Sequence, residues 1–110
     1  MRFNAILKKG VLMTQVAIEQ KTVKGVFTIK NDRGLHTRPS TEIVKCATSF
    51  NAHIQLSYRQ MVVNAKSILG ILMLAACKGS RIRVTASGED AEQAVDALVQ
   101  LSKNQFNIQY

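Results

Sequence analysis

Acidic residues are scarce in this 110-residue chain: 7 Asp and Glu stand against 15 Lys and Arg, for a formal net charge of +8. That imbalance disfavours cationic partners and points to acidic ones, either acidic proteins or nucleic acid. Aromatic residues make up only 5%, which leaves little for the exposed stacking platforms that single-stranded nucleic acid requires. Cysteine is limited to Cys46 and Cys77, too few and too far apart for a zinc pattern or a disulfide framework. Both lie among apolar neighbours and read as buried, reduced thiols of a cytoplasmic protein. No apolar run reaches the length of a membrane span. Internal repeats and low-complexity segments are absent too, and the chain has one proline, Pro39, and two histidines, His36 and His53.

A hydrophobic content of 46% over this length supports one domain with a modest core, not two. Residues 1–21 read as an N-terminal extension, poorly ordered or draped on the surface. Residues 22–103 read as the organised domain, and 104–110 as a polar tail with two aromatics whose placement is open. The first dozen residues carry Arg2, Lys8 and Lys9 without an apolar core or a small-residue cleavage site, which argues against a secretory signal. Met13 is a candidate alternative start.

Within the organised stretch the periodicities alternate. Val23, Phe27 and Ile29 against Lys24, Thr28 and Lys30 predict a half-buried strand, broken by Asn31-Asp32-Arg33-Gly34. A helix is expected from about Thr37 to Thr48, with Ile43, Val44, Ala47 and Phe50 on its buried face. Ile54, Leu56 and Tyr58 predict a second strand, and a turn near Arg59-Gln60 leads to a third around Met61 to Asn64. Ser67 opens a short apolar helix in which Gly70 suits close packing. A fourth strand sets Ile82, Val84 and Ala86 against Arg81, Arg83 and Thr85. Gly79 and Gly88 read as turn residues. After Gly88-Glu89-Asp90, Ala91, Ala94, Val95, Leu98 and Leu101 mark one face of a last helix. Strands apolar on one side and helices with one apolar stripe pack economically as an α+β fold, a single sheet with helices on one face.

The segment Gly34-Leu35-His36-Thr37-Arg38-Pro39-Ser40 is the most informative. It places His36 where a loop becomes a helix, with Pro39 in the first turn, where a missing N–H does little harm. Unpaired N–H groups converge at such an end and the helix dipole favours negative charge there. Arg38 in a first turn has the wrong sign for that dipole unless an anion lies between them. Imidazole, guanidinium and open N–H groups together describe a place to hold a phosphoryl group on a histidine nitrogen. A neutral imidazole is a competent nucleophile, and its P–N bond yields readily to the next one. No Asp or Glu adjoins His36 and no second histidine is nearby, which argues against a hydrolase and for in-line transfer between proteins.

The Gly-Leu-His-x-Arg-Pro motif, the element order over about residues 22 to 103 and the segment Lys66-Ser67-Ile68 closely resemble the HPr family, histidine-containing phosphocarriers of the bacterial sugar phosphotransferase system. The resemblance implies an open-faced sandwich, a four-stranded antiparallel sheet with helices on one face. It implies a monomeric, stoichiometric carrier rather than an enzyme, with His36 as phospho-acceptor and Arg38 as phosphate partner. Phosphate would come from enzyme I and pass to a histidine of an A-type permease subunit, without cofactor or metal. Thr37 stands where the family usually has alanine and adds a β-branched hydroxyl beside the phosphate.

Ser67 is first a candidate N-cap. The resemblance adds a regulatory serine, modified by a serine kinase and phosphatase. A phosphate there is electrostatically tolerated and would change the surface without unfolding the helix. Ile68, Leu69, Ile71, Leu72, Met73 and Leu74 cannot all face one core, so Ile68 and Leu69 are expected to be exposed near His36. With Thr37 and a basic rim including Lys45 they form a candidate docking surface for acidic partner faces.

Two alternatives stand beside the carrier reading. A regulatory paralogue, tied to a nitrogen branch or a transcriptional regulator, would carry the same residues. A nucleic-acid-binding module would use Lys24, Lys30, Arg81 and Arg83 on the outward sheet face. Phe27 and Tyr58 fall on the inward parity of their strands, however, and no Gly-x-x-Gly clamp is present. His53 has no companion at ligand spacing, so no metal site is expected.

Overall fold

A computed structural model describes residues 21–108. The expected extension over residues 1–20 and the choice between Met1 and Met13 lie outside the described residues. Lys21 is described, and its ammonium meets Glu92 at 3.2 Å on the surface.

The elements in chain order are β1 (Thr22–Thr28), α1 (Thr37–Thr48), β2 (His53–Tyr58), β3 (Met61–Asn64), α2 (Ile68–Met73), β4 (Arg81–Ser87), α3 (Ala91–Lys103) and a single 3-10 turn, Gln105–Asn107. The four strands form one antiparallel sheet in the order β1-β4-β2-β3. The first strand therefore pairs with the last, from Thr22 opposite Ser87 to Thr28 opposite Arg81. Both hairpin strands, β2 and β3, lie on the far side of β4, joined at Tyr58 opposite Met61. Arg59 takes the left-handed backbone (φ 57°) that such a tight turn favours and lays its guanidinium over the Tyr58 ring, 5.2 Å from the centroid.

The period of two decides the faces. Ile54, Leu56, Ile82, Val84 and Ala86 are fully buried, while Arg81 and Arg83 point away from the helices. Burying side chains of this size stabilises by about 1.5–3 kcal/mol each. Gly25 has a packing reason on the same face: a methyl there would come within 2.6 Å of Val95 Cγ1, so its absence lets α3 lie down on β1. Gly70 plays the same part for α2, where a methyl would stand 3.2 Å from Val63 Cβ. At the opposite end, the Asp90 carboxylate accepts hydrogen bonds from the Asn51 and Ala52 N–H groups, both at 2.8 Å. That ties the start of α3 to the loop between α1 and β2.

Two expectations are corrected. The core does not stop at position 103: Phe106 is fully buried, edge-on to Phe27 with ring centroids 5.9 Å apart, and Ile108 is buried beside the same cluster. The chain enters the core there through three successive left-handed residues, Gln105, Phe106 and Asn107. Cys77 is exposed rather than buried, because the chain reverses at left-handed Ala75 and turns the thiol outward. Cys46 is half-buried, and burial pushes its thiol up.

Candidate functional site

The loop before α1 is stitched to the loop before β4. Ile29 N–H donates to Ser80 O at 2.9 Å, Gly79 N–H donates to Ile29 O at 2.8 Å, and Leu35 N–H donates to Ala76 O at 2.9 Å. On the rim, Lys78 Nζ meets Asp32 Oδ1 at 2.9 Å, and this pairing holds the Asp32 carboxyl below its usual range. Gly34 is left-handed (φ 69°), and any Cβ there would collide with the Ala76 carbonyl oxygen. Only glycine lets the chain pass this close to its neighbour loop. The Gly34 N–H closes a turn on Asn31 O at 3.0 Å. The buried Asn31 side chain donates to Gln105 O at 2.9 Å, so the C-terminal turn props the same loop.

His36 follows as the N-cap of α1, with extended backbone (φ −93°, ψ −164°). Its carbonyl accepts the first helical bond, from Ser40 N–H at 3.0 Å. His36 is half-buried, and its side chain makes no capping bond to the helix. The N–H groups of Thr37 and Arg38, in the first turn, have no intrahelical acceptor, and Pro39 has no N–H to offer. No acidic residue sits in that turn, so the positive end of the dipole is uncompensated. Thr37 and Arg38 are exposed, and among the described residues none of the ion pairs involves Arg38. An exchangeable anion beside the His36 ring would meet backbone donors, a guanidinium and no competing carboxylate in the turn.

Ser67 caps α2 as expected: it is extended (φ −118°, ψ 113°), and its hydroxyl accepts from Gly70 N–H at 3.1 Å. Ile68 and Leu69 are exposed, Leu69 to 70%. Met73 is nearly as exposed, so the apolar surface of α2 extends a full turn further than the sequence suggested. Ile71 and Leu74 take the inward positions. α2 packs against α1, so this apolar surface borders the helix that His36 caps. Lys45 is exposed but spends its charge locally, 3.4 Å from Glu42 Oε2 one turn earlier. Sequence reasoning missed Asn31, whose polar side chain reads as an ordinary turn residue until Gln105 is seen beside it.

Comparisons with known proteins identify the family and agree with the fold. Residues 23–104 match the family described as PTS HPr component phosphorylation site. The phosphocarrier protein HPr of Xylella fastidiosa (strain Temecula1) is 42% identical over 81 residues, covering 74% of this chain and 91% of that protein. The multiphosphoryl transfer protein of Haemophilus influenzae is 40% identical over 79 residues, but this chain spans only 16% of its length. Among solved structures, HPr-C-His of Thermoanaerobacter tengcongensis superposes with a TM-score of 0.76 at 36% identity, covering 80% of this chain and 99% of that one. On the family match and these relatives, the chain belongs to the HPr family of phosphocarrier proteins of the phosphotransferase system.

Proposed function

We propose that His36 accepts a phosphoryl group from phosphorylated enzyme I and delivers it to a histidine of an A-type sugar-permease subunit. The observation that carries this reading is the placement of His36 as the N-cap of α1, at the mouth of a first turn that holds no acidic residue. A ring nitrogen of neutral His36 attacks phosphorus in line. The donor's N–P bond breaks, its electron pair returns to the donor ring, and a new N–P bond forms on His36. The second handover repeats the exchange in the opposite sense. Arg38 and the first-turn N–H groups hold the phosphoryl oxygens by charge-assisted hydrogen bonds. No general base is needed, in keeping with a stoichiometric carrier working in the cytoplasm as a monomer.

Thr37, Ile68, Leu69 and Lys45 serve as the docking rim. Met73 extends it, and the Glu42 pairing lowers the share carried by Lys45. Ser67 is the regulatory position: a phosphate added by a serine kinase would stand at the N-terminus of α2, next to the exposed Ile68 and Leu69. There it would repel acidic partner faces without breaking the helix.

The test is incubation with enzyme I and radiolabelled phosphoenolpyruvate, on wild type and His36→Ala, followed by acid and alkali treatment. Acid-labile, alkali-stable label in wild type alone is the expected result. A folded wild-type protein that takes no label beside a competent control carrier overturns the proposal.

A further inference from the structure

The sheet face turned away from the helices carries a charge pattern that phosphoryl transfer does not use. The register aligns Val26, Arg83, Ser57 and Val62 in one row across all four strands. Lys24 and Arg81 flank Arg83 on the same face, facing Thr85 and Thr28 respectively. Cross-strand neighbours of this kind lie about 5 Å apart and diagonal ones about 7–8 Å, so three cations crowd one small area. None of the outward positions on the four strands is acidic. Among the described residues the ion pairs are Lys21–Glu92, Lys45–Glu42 and Lys78–Asp32, and none reaches this face. Repulsion among three unpaired cations works against folding, and a bound anionic partner would relieve it.

Val26 and Val62, 41% and 59% exposed, stand at the two ends of the row, and a shallow cleft of about 250 Å³ opens between Lys24, Val26, Arg83 and Thr85. Arginine is enriched in protein interfaces, and here Arg83 stands in a row that ends in two exposed aliphatic side chains. The outward positions carry no Phe, Tyr or Trp, and their one imidazole, His53, stands at the Ser87 end of the sheet, two rows from Arg83, so the cation cluster has no stacking platform for nucleobases. Valine is too short to anchor in a bilayer in the way Trp, Phe or Leu does.

We infer that the outer sheet face is a second docking surface, for an acidic protein segment whose carboxylates pair with Arg81, Arg83 and Lys24 while aliphatic side chains cover Val26 and Val62. All three helices lie on the other side of the sheet, so a partner seated here leaves the His36 end of α1 open. The carrier would then be tethered through one face while exchanging phosphate through the other. This inference stands independently of the phosphotransfer proposal.

The test uses the full chain, isotope-labelled, titrated with a short peptide of Glu-Glu-Leu repeats and followed by amide NMR. Expected are shifts confined to β1, β4 and the outward residues of β2 and β3, with none at residues 36–45. Arg81→Gln/Arg83→Gln should weaken binding by about tenfold, the equivalent of two lost charge pairs. Because both side chains are exposed, the variant should keep its fold and its uptake of label from enzyme I. A polyglutamate peptide of equal charge should bind more weakly than the Leu-containing one. Shifts centred on α1 and α2, or unchanged affinity in the double variant, overturn the inference. So does tighter binding of oligothymidylate, or of phosphatidylglycerol-containing vesicles, to this same face.

Discussion

Truncating Phe106 to alanine separates a tail that merely follows the domain from one that completes it. The ring is fully buried and meets Phe27 edge-on at 5.9 Å with an interplanar angle of 72°. Phe→Ala at such a site costs about 3–5 kcal/mol, of which the aromatic pair contributes roughly 0.5–1.5. A domain of this size is stable by something on the order of 5–10 kcal/mol, so the substitution removes a third or more of the margin. With a urea slope of about 1 kcal/mol per molar, the unfolding midpoint should fall by roughly 3–5 M. Phe106→Leu keeps most of the apolar volume and should lose about half as much or less. Far-ultraviolet circular dichroism against urea reads both variants. A midpoint shift for Phe106→Ala below about 0.5 M would refute the reasoning and return residues 104–108 to the status of an appendage.

Four further outcomes follow from the geometry. Gly34→Ala should lower the thermal midpoint, because left-handed backbone costs a side-chain-bearing residue about 1–2 kcal/mol and the methyl collides with the Ala76 carbonyl. Label uptake at His36, measured well below that midpoint, should fall as well, since the displaced loop carries the histidine; unchanged uptake would show the loop to be dispensable. Ser67→Ala should cost about 1 kcal/mol in a melting experiment and Ser67→Asp much less, because aspartate also caps. A disulfide reagent should label exposed Cys77 first and Cys46 slowly, by mass spectrometry of the partly reacted protein. Burial raises the Cys46 thiol above its ordinary value. Its contribution to stability is therefore complete below the unfolded-state value and lost as pH rises through the raised one, and Cys46→Ala should remove that alkaline decline.

Side-chain periodicity reports which face a residue takes, and there the sequence was informative. Arg81, Ile82, Arg83 and Val84 alternate in the structure as they do in the chain, and Thr37–Thr48 is helical over the expected span. Periodicity carries nothing about neighbours. That β1 lies against β4 follows from packing, and only the resemblance to HPr proteins anticipated an antiparallel sheet. Phe106 was hidden because its neighbours Asn104, Gln105 and Asn107 are polar and its backbone is left-handed, so no helix or strand pattern points inward. Cys77 misled in the opposite sense: Ala75 and Ala76 look like core, yet the reversal at Ala75 leaves the thiol outside. At the site, the Gly-Leu-His-x-Arg-Pro motif and the Ser67 cap were legible because each depends on a few adjacent residues. The bonds from Leu35 to Ala76 and from Asn31 to Gln105 join distant segments, and no local signal announces them.

The same stitching sets an order of events in time. Thr22 must wait for Ser87 before β1 has a partner, and non-local pairings of this kind fold slowly. During synthesis, at about 5–20 residues per second, His36 leaves the ribosome seconds before Ala76 and Ser80 arrive to fix its loop. Gln105, whose carbonyl holds Asn31, comes later still. A nascent chain therefore exposes His36 early, yet the loop that would make it the proposed phosphate site is not fixed until almost the whole domain has emerged. Half-made carriers should not drain phosphoryl groups from the finished ones.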